Sequence, residues 1–317
     1  MPSNSLSQYD RSENQTSALF EWHITISNNE ANTTAIAVLE RYADEHRILI
    51  SKTALKQAVN KGALWLTPHI NKKRTQRLRR IKKPLAVGDE LHFYYNRDVL
   101  SCTVPEATLI ADLVGYSVWY KPYGMLSQGS KWSDHCTIAR FAQQHLAVER
   151  PAFIVHRLDR AATGLILIAH SKKIAQSLSK MFEQHQLEKN YYIVVHGNHQ
   201  LRPQPDVITS DIANKSACSQ FTCIAYDEVS NRSLVNVNIS SGRKHQIRIH
   251  AASIGMPVVG DRLHGIADEN EVLNLQLCAV SLRFDCPLNQ MKKMNSDIVT
   301  DTKPMFFEVP EPLKPQL

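Results

Sequence analysis

The chain has 317 residues and a formal charge of +7, from 37 Lys and Arg against 30 Asp and Glu. This length predicts roughly two domains, and a hydrophobic content of 43% excludes a chain that is disordered throughout. No apolar run approaches the roughly 18 residues of a membrane-spanning helix, and the polar first residues lack the apolar core of a signal peptide. The six Cys residues form no CxxC pair, which favours free thiols in a reducing cytoplasm.

The positive charge is concentrated in one segment, Lys72 to Lys83, which holds eight basic residues and no acid. The rest of the chain has 29 basic and 30 acidic residues. This basic run predicts contact with a polyanion, and nucleic acid is favoured over a membrane surface. The alternative is a solvated basic loop. Leu78 and Ile81 would let part of the run form a helix with one apolar stripe.

The first hundred residues predict a flexible tail and a small mixed domain. Residues 1–20 are polar and rich in Ser, Asn and Gln, whereas residues 21–100 contain ordered elements. Within that domain the predicted elements are a helix capped by Thr33 or Thr34, a helix capped by Ser51 and ended by Gly62, a strand at 63–66, a turn at 87–89 and a strand at 91–95.

From residue 110 to 317 strands alternate with helices, which predicts an α+β domain with a substantial sheet. Ser171 is a good cap for a helix with an apolar face. A second helix is predicted at 243–254, with Gly255 as its stop. The predicted strands are 117–121, 152–155, 164–169, 191–195 and 234–239.

Two segments carry side chains suited to chemistry. The first is His156-Arg157-Leu158-Asp159-Arg160, in which a carboxylate flanked by arginines follows an apolar strand. Neighbouring positive charge favours an ionised carboxylate, which can act as a nucleophile or a base. Taken alone, the segment fits an ordinary surface Arg–Asp pair even better.

The second segment runs from Ser240 to His250, SSGRKHQIRIH. Small residues ahead of a helix leave backbone N–H groups free for an anion, so it predicts phosphate binding or a plain basic helix. His245 and His250 are five residues apart, which does not suit paired metal ligands on a helix, so no metal is expected. The signatures of nucleotide-binding loops and of α/β-hydrolases are missing, which favours a reaction without a cofactor.

Four segments, in order along the chain, resemble the RluA-type pseudouridine synthases. They are KPYGM at 121–125, similar to the family's KPxGM; HRLDRAATGL at 156–165, similar to its defining motif; EKNY at 188–191, similar to EKxY; and GRKHQIRIHAASIGMPVVGD at 242–261, similar to GRTHQIRVHLAxIGHPIVGD. The resemblance is strong between residues 113 and 263 and extends more weakly through QLCAVSLRF and FEVPEP.

The resemblance implies a mixed, largely antiparallel sheet with flanking helices, and an isomerase that converts uridine in RNA to pseudouridine without cofactor or metal. The family breaks the N1–C1′ bond, turns the base and joins C5 to C1′. By this resemblance Asp159 is the catalytic carboxylate, Tyr191 contacts the target base, and Arg248 pairs with the carboxylate. Arg157 matches the residue that can enter the base stack when the uridine leaves it.

RNA contacts are predicted for two further groups of residues. In the catalytic domain they are Arg157, Arg160, Lys121, Arg243, His245 and Gln246, and in the basic run Lys72, Lys73, Arg74, Arg77, Arg79 and Arg80. Residues 21–100 resemble the S4 RNA-binding module, with a longer insertion, LTPHINKKRTQRLRRIKK, in place of its usual small turn.

The sequence departs from the family pattern at three positions. Ala162-Thr163 stands for the usual Thr-Ser, Lys244 for Thr or Ser, and Ala252 lies in an altered helix context. These changes avoid the three predicted catalytic residues and predict an effect on substrate choice. A non-catalytic RNA-binding protein and a hydrolase that uses Asp159 are the alternatives. Ribosomal and transfer RNA are both open as substrates, and the family layout favours a monomer.

Overall fold

The computed structural model describes residues 19–72, 74–265, 271–286 and 304–317. The chain forms two compact units. The first comprises Met1–Cys102 with Gly129–His135, and the second comprises Thr103–Gln128 with Cys136–Leu317. Residues 1–18 of the predicted tail lie outside the described residues. Lys73 of the basic run lies outside them as well. The first strand already begins at Leu19, inside the segment predicted as tail.

The first unit is a four-stranded antiparallel sheet with two helices packed on one face. Thr34 and Ser51 cap the two helices by accepting backbone N–H groups, which confirms both predicted starts. Gly62 follows the second helix with φ +91°. The elements are β1 (Leu19–Thr25), α1 (Ala35–Glu45), α2 (Lys52–Asn60), β2 (Leu64–Thr67), β3 (Gln76–Arg77), β4 (Glu90–Asn96) and α3 (Arg97–Ser101), with strand order β1-β4-β2-β3.

The basic run contains a short strand, so the helix considered for it is wrong. Gln76 and Arg77 pair with β2, and the N–H of Leu78 donates to the carbonyl of Leu64 at 2.9 Å. Leu78 is buried in the core of this unit. Tertiary pairing with a neighbouring strand therefore overrides the weak helical stripe of the run.

The second unit is built on a ten-stranded sheet that is antiparallel except for one pair, β8 with β13, among the described residues. Its main path has the strand order β10-β11-β12-β9-β13-β8-β6-β5, while β7 pairs with β8 and β14 with β13. The elements are β5 (Thr108–Asp112), β6 (Tyr116–Lys121), α4 (Ile138–His145), β7 (Phe153–Ile154), β8 (Thr163–Ala169), α5 (Lys172–Glu183), β9 (Leu187–His196), β10 (Asp206–Ile212), β11 (Lys215–Asp227), β12 (Arg232–Ile239), α6 (Gln246–Ser253), β13 (Leu277–Phe284) and β14 (Met305–Glu308). None of the helices described is long and apolar enough to cross a bilayer.

Side chains of the central strands alternate between two buried faces. On β9, Tyr191 packs with Ile193 and Val195 on one face, whereas Tyr192 packs against the cluster on the opposite face. The two tyrosines therefore point to opposite faces of the sheet, because successive strand residues face opposite ways. Opposite Tyr191, the pairing of β9 with β13 shifts register between Ala279 and Ser281.

Helix α6 begins at Gln246, three residues later than predicted. The residue before it, His245, has φ 56° and ψ 19°, in the left-handed region. A helix cannot continue through such a residue, so residues 243–245 form a turn that leads into α6. Gly255 ends the helix with φ +74°, as predicted.

Gly164 lies where β8 pairs with β13, the one parallel strand pair among the described residues. It has φ +110°, and a Cβ there would lie 2.4 Å from the backbone N and O of Ala279. Gly255 also has a positive φ, but a Cβ there would meet nothing within 4 Å. We expect Gly164→Ala to lower the free energy of unfolding by about 3 kcal/mol more than Gly255→Ala, measured by urea denaturation. Equal losses would show that β13 moves aside at little cost.

Candidate active site

Asp159 lies in the loop that joins β7 to β8, and its neighbours are fixed by the turn after β6. The Ser127 hydroxyl donates to the carbonyl of Leu158 at 2.7 Å and accepts the N–H of the same residue at 3.0 Å. The N–H of Gly124 donates to the carbonyl of Arg160 at 2.9 Å. Hydrogen bonds on both sides of Asp159 thus hold its backbone in place.

Lys121 stabilises the turn after β6 and the loop that carries Asp159. Its side chain is fully buried, and its Nζ donates to the carbonyls of Met125 at 2.9 Å, Pro122 at 3.0 Å and Arg160 at 3.5 Å. Burial lowers the pKa of Lys121 to about 7, although the charge of Asp159 opposes the shift. This placement contradicts the RNA contact predicted for Lys121, because its ammonium is buried and donates to backbone carbonyls.

Arg248, on α6, lies between two carboxylates. Its Nε and Nη2 donate to Asp261 at 2.7 and 2.6 Å, and its Nη1 is 3.5 Å from Oδ2 of Asp159. The side chain of Arg248 is 8% exposed, that of Asp261 1% and that of Asp159 29%. Arg248 therefore pairs with Asp159 as predicted, while Asp261 fixes its orientation with the two parallel bonds that a guanidinium makes best.

The carboxylate of Asp261 is held strongly in its charged form. Burial alone would raise the pKa of Asp261, but bonds from Arg248 and from the N–H groups of His264 and Leu263 lower it to about 2. Burial would lower the pKa of Arg248, yet Asp261 and Asp159 together raise it above its ordinary value. Both partners thus remain ionised at neutral pH.

Tyr191 lines the cavity beside Asp159 from the strand β9. The residue is 8% exposed and packs on the apolar cluster beneath the site. Burial, with a further contribution from the charge of Asp159, raises the pKa of the Tyr191 phenol. Its hydroxyl is therefore protonated at neutral pH.

His245 joins Asp159 to a second histidine. Its Nε2 lies 3.7 Å from Oδ2 of Asp159, and its Nδ1 lies 2.9 Å from Nε2 of His264. Burial lowers the pKa of His245, helped by Arg248, His264 and Lys244, while Asp159 opposes the shift. The sequence predicted no role for His264 in the catalytic site.

These side chains line an open cleft of about 730 Å³ and a smaller cavity of about 90 Å³ next to it. Asp159, Tyr191, Arg157 and Arg243 border both. Arg157 and Arg160 are exposed, and Nε of Arg160 donates to the carbonyl of Gly124 at 3.2 Å. The cleft is wide enough for a nucleotide, and its rim carries positive charge.

Gln246 is placed differently from its prediction. It is 3% exposed. Its Nε2 donates to the carbonyl of Cys218 at 2.9 Å and its Oε1 accepts the Ser241 hydroxyl at 2.8 Å and the Arg243 N–H at 3.1 Å. Although it borders the smaller cavity, its amide is fully used in holding residues 241–246, which does not agree with an RNA contact.

The basic run, in the first unit, divides into half-buried side chains with internal partners and exposed ones. Arg77 donates to the carbonyls of Gly62 and Ser130 and lies 4.3 Å from the ring centre of Trp65, and Arg79 pairs with Asp134. These two arginines hold the segment Gly129–His135 to the sheet of their own unit. Three of the remaining predicted contacts are exposed: Lys72, Arg74 and Arg80.

Three residues of the site were missed because their roles depend on tertiary structure. Asp261 and His264 follow α6 in the chain, and Ser127 follows the KPYGM turn. The only signal was that Asp261 ends the motif VVGD, which holds an acid after an apolar stretch. Within the residues described, no group of three His, Cys, Asp or Glu side chains is arranged to hold a metal.

Comparison with known proteins identifies the family. Residues 115–253 match the family model described as RNA pseudouridylate synthase. A tRNA pseudouridine synthase C from Haemophilus ducreyi is 31% identical over 217 residues, covering 59% of this chain and 88% of the relative. The chain belongs to the RNA pseudouridine synthase family. This synthase is therefore an isomerase, as the motifs predicted, and the reading of the same fold as a non-catalytic binding protein is not supported.

Two further comparisons agree with this assignment. A tRNA pseudouridine synthase C from Vibrio cholerae is 30% identical over 201 residues, covering 54% of the synthase and 82% of the relative. The structure of human RNA pseudouridylate synthase domain containing 1 superposes with a TM-score of 0.52 at 19% identity, covering 67% of the synthase and 86% of the human chain. The latter supports the predicted fold class.

The pairing of Arg248 with Asp261 predicts a pH-dependent stability. Asp261→Asn leaves a buried guanidinium without its charged partner, so we expect a loss of about 3 kcal/mol at neutral pH. The folded pKa of Asp261 lies below its ordinary value, so its contribution is fully present above about pH 4 and is lost as the pH falls towards about 2.

Urea denaturation of both proteins at several pH values tests this expectation. The difference between wild type and Asp261→Asn should narrow below pH 4 or so. A difference that stays constant down to the acid unfolding of both proteins would contradict it.

Proposed function

We propose that this synthase isomerises a uridine of transfer RNA to pseudouridine, with Asp159 as the catalytic carboxylate. The observation that carries the proposal is the geometry of Asp159. Its side chain is partly exposed to the cleft, while Arg248 approaches one of its oxygens at 3.5 Å from a buried position. A cation held there by Asp261 orients the carboxylate and leaves its other oxygen free to face the cleft.

The reaction needs only groups of this kind. Uridine and pseudouridine are isomers, so the N1–C1′ bond breaks, a C5–C1′ bond forms, and one proton leaves C5 while another joins N1. No electrons are exchanged with a second molecule, so neither an oxidant nor a reductant is required. An ionised carboxylate at the cleft can attack the sugar or the base, and the arrangement serves either course.

Tyr191 is assigned to the flipped base. Its ring lies at the cavity wall beside Asp159, where an aromatic surface can stack on or bracket a pyrimidine. Because its pKa is raised by burial, its hydroxyl is a donor rather than a base in the resting enzyme. We therefore assign Tyr191 the role of holding the base while the N1–C1′ bond breaks and the C5–C1′ bond forms.

Arg157 is assigned to the RNA that the uridine leaves. It is exposed two positions before Asp159, at the border of both cavities. Flipping a nucleotide out of its stack costs a few kcal/mol, and a guanidinium plane inserted into the gap can stack on the neighbouring bases. Arg243 also borders both cavities and can contact the adjoining phosphate.

Transfer RNA is proposed as the substrate class because relatives from several bacteria carry the name tRNA pseudouridine synthase C. Ribosomal RNA is the alternative. Separate incubation with the transfer RNA and ribosomal RNA of a strain lacking the enzyme distinguishes them, since only the true substrate gains pseudouridine. Conversion confined to ribosomal RNA would overturn this choice.

Asp159→Asn should abolish catalysis but leave binding intact. The amide keeps the shape of the side chain but removes its charge, so we expect release of tritium from RNA labelled at C5 of uridine to fall by at least about 1,000-fold. The dissociation constant for RNA should change little, because phosphate contacts dominate affinity.

Gel-shift titration and tritium release with the same RNA measure both quantities. The matched control is Asp211→Asn, a surface acid in β10 that lies outside the cleft lining. Activity of Asp159→Asn close to that of wild type would remove Asp159 from the mechanism.

The exposed part of the basic run should contribute to RNA affinity. Replacing Lys72, Arg74 and Arg80 by Gln removes three exposed charges, so the slope of log affinity against log salt should flatten by about 2 units. Replacing Arg77 and Arg79 should instead lower the stability of the first unit, since these side chains have internal partners.

Binding titrations between low and moderate salt, combined with thermal unfolding, separate the two effects. An unchanged salt slope in the triple variant would mean that the exposed charges are a solvated surface and touch no phosphate.

A further inference from the structure

Three polar side chains, His264, His245 and Asp159, lie in a row at the site. His264 Nε2 lies 2.9 Å from His245 Nδ1, and His245 Nε2 lies 3.7 Å from Asp159 Oδ2. The two rings meet edge to face, with centres 5.1 Å apart. Two histidines this close must share one proton between the facing nitrogens, because a neutral ring has one donor and one acceptor.

The charge of Asp159 decides the direction of that hydrogen bond. If His245 carried its proton on Nδ1, the lone pair on Nε2 would face an ionised carboxylate oxygen. With the proton on Nε2, His245 presents a donor to Asp159, so its Nδ1 becomes the acceptor. His264 must then be the donor, through Nε2–H, and its presence fixes the tautomer of His245.

The backbone of both histidines is constrained in support of this alignment. His245 is held at φ 56°, a conformation that costs a non-glycine residue free energy. The N–H of His264 donates to Oδ1 of Asp261 at 3.0 Å, and Asp261 also orients Arg248. One carboxylate therefore positions both the cation and the histidine chain that converge on Asp159.

We propose that His264 is a positioning residue for the reaction, which donates to His245 and thereby directs a second donor, beside Arg248, at Oδ2 of Asp159. Both ion-pair contacts of Asp159 within the described residues involve Oδ2. Oδ1 is then the oxygen presented to the substrate. This inference rests on the proposed function, in which Asp159 is the catalytic carboxylate.

The contacts among His264, His245 and Asp159 also make the activity depend on pH. The charged or titratable groups that face His245 are Asp159, Arg248, Lys244 and His264, and all but Asp159 disfavour its protonation. A protonated His245 would bind Asp159 more tightly and reduce its reactivity. The hydrogen bond from His264 keeps His245 neutral, and activity is retained to lower pH as a result.

The test compares His264→Phe with His264→Gln. Phe keeps the ring shape but has no donor, so kcat should fall roughly 10- to 100-fold with KM for RNA nearly unchanged, and the acid limb of the pH profile should move to higher pH. Gln can place its amide nitrogen near the position of Nε2, so it should keep most of kcat and the wild-type acid limb. Tritium release between pH 5.5 and 8.5 or so measures these quantities.

His264→Asn provides a second variant if the larger Phe side chain impairs folding. Its amide is too short to reach His245, so it should lose activity as Phe does, with a melting temperature close to that of wild type. Wild-type kcat and an unmoved acid limb in His264→Phe or His264→Asn, while Asp159→Asn is inactive, would overturn this inference alone. An active Asp159→Asn would instead overturn the proposed function.

Discussion

The guanidinium of Arg248, buried between the carboxylates of Asp159 and Asp261, is the interaction on which the site depends. A buried cation is costly unless its charge and its hydrogen-bond donors are all matched. Asp261 supplies the opposite charge and accepts two of the guanidinium's hydrogen bonds, at 2.6 and 2.7 Å. Arg248 can therefore approach Asp159 without needing it for its own stability. Because Asp261 is the main partner of Arg248, Asp159 stays partly exposed and able to react.

The fold places these groups together through a few short connections. Strands β6 and β8 are neighbours in the sheet, so the turn after β6 lies beside the loop before β8. Ser127 and Lys121 use this proximity to hold the carbonyls on either side of Asp159. The same sheet brings Tyr191 on β9 alongside, because β13 lies between β8 and β9. Residues far apart in sequence thus meet at one end of the central strands.

The sequence predicted what depends on local pattern and chemical type. Helix caps at Thr34, Ser51 and Ser171 were recognised because short polar side chains before apolar stripes have a specific local use. The pairing of Asp159 with Arg248 came from motif resemblance, since no spacing rule brings residues 159 and 248 together. Helix caps can be predicted from a few neighbouring residues, whereas a pair such as Asp159 and Arg248 can be predicted only from resemblance to a known family.

Predictions that depended on burial were the weaker ones. Lys121 and Gln246 were expected at the RNA because they lie in family-like segments, and Arg77 because it lies in the basic run. Each instead donates hydrogen bonds to backbone carbonyls of its own unit, and the sequence does not show which carbonyls these are. The role of Asp261 was also not predicted from the sequence. Its partner Arg248 lies on helix α6, which ends well before Asp261 in the chain. Side-chain type gives the capacity for a hydrogen bond, but tertiary structure decides its partner.

The register shift between β9 and β13 has a consequence for how this enzyme can change over time. Both faces of β9 are buried, so hydrophobic patterning alone specifies its register weakly. The irregularity between Ala279 and Ser281, next to Tyr191, fixes the register of β9 and so determines which of the two tyrosines faces the cleft. A one-residue deletion in β9 would present Tyr192 to the cleft within a sheet that still pairs. Because positions 191 and 192 are both tyrosine, a phenol ring would still face the cleft after such a deletion, so the paired tyrosines make this strand tolerant of a one-residue shift that would remove a lone tyrosine from the site.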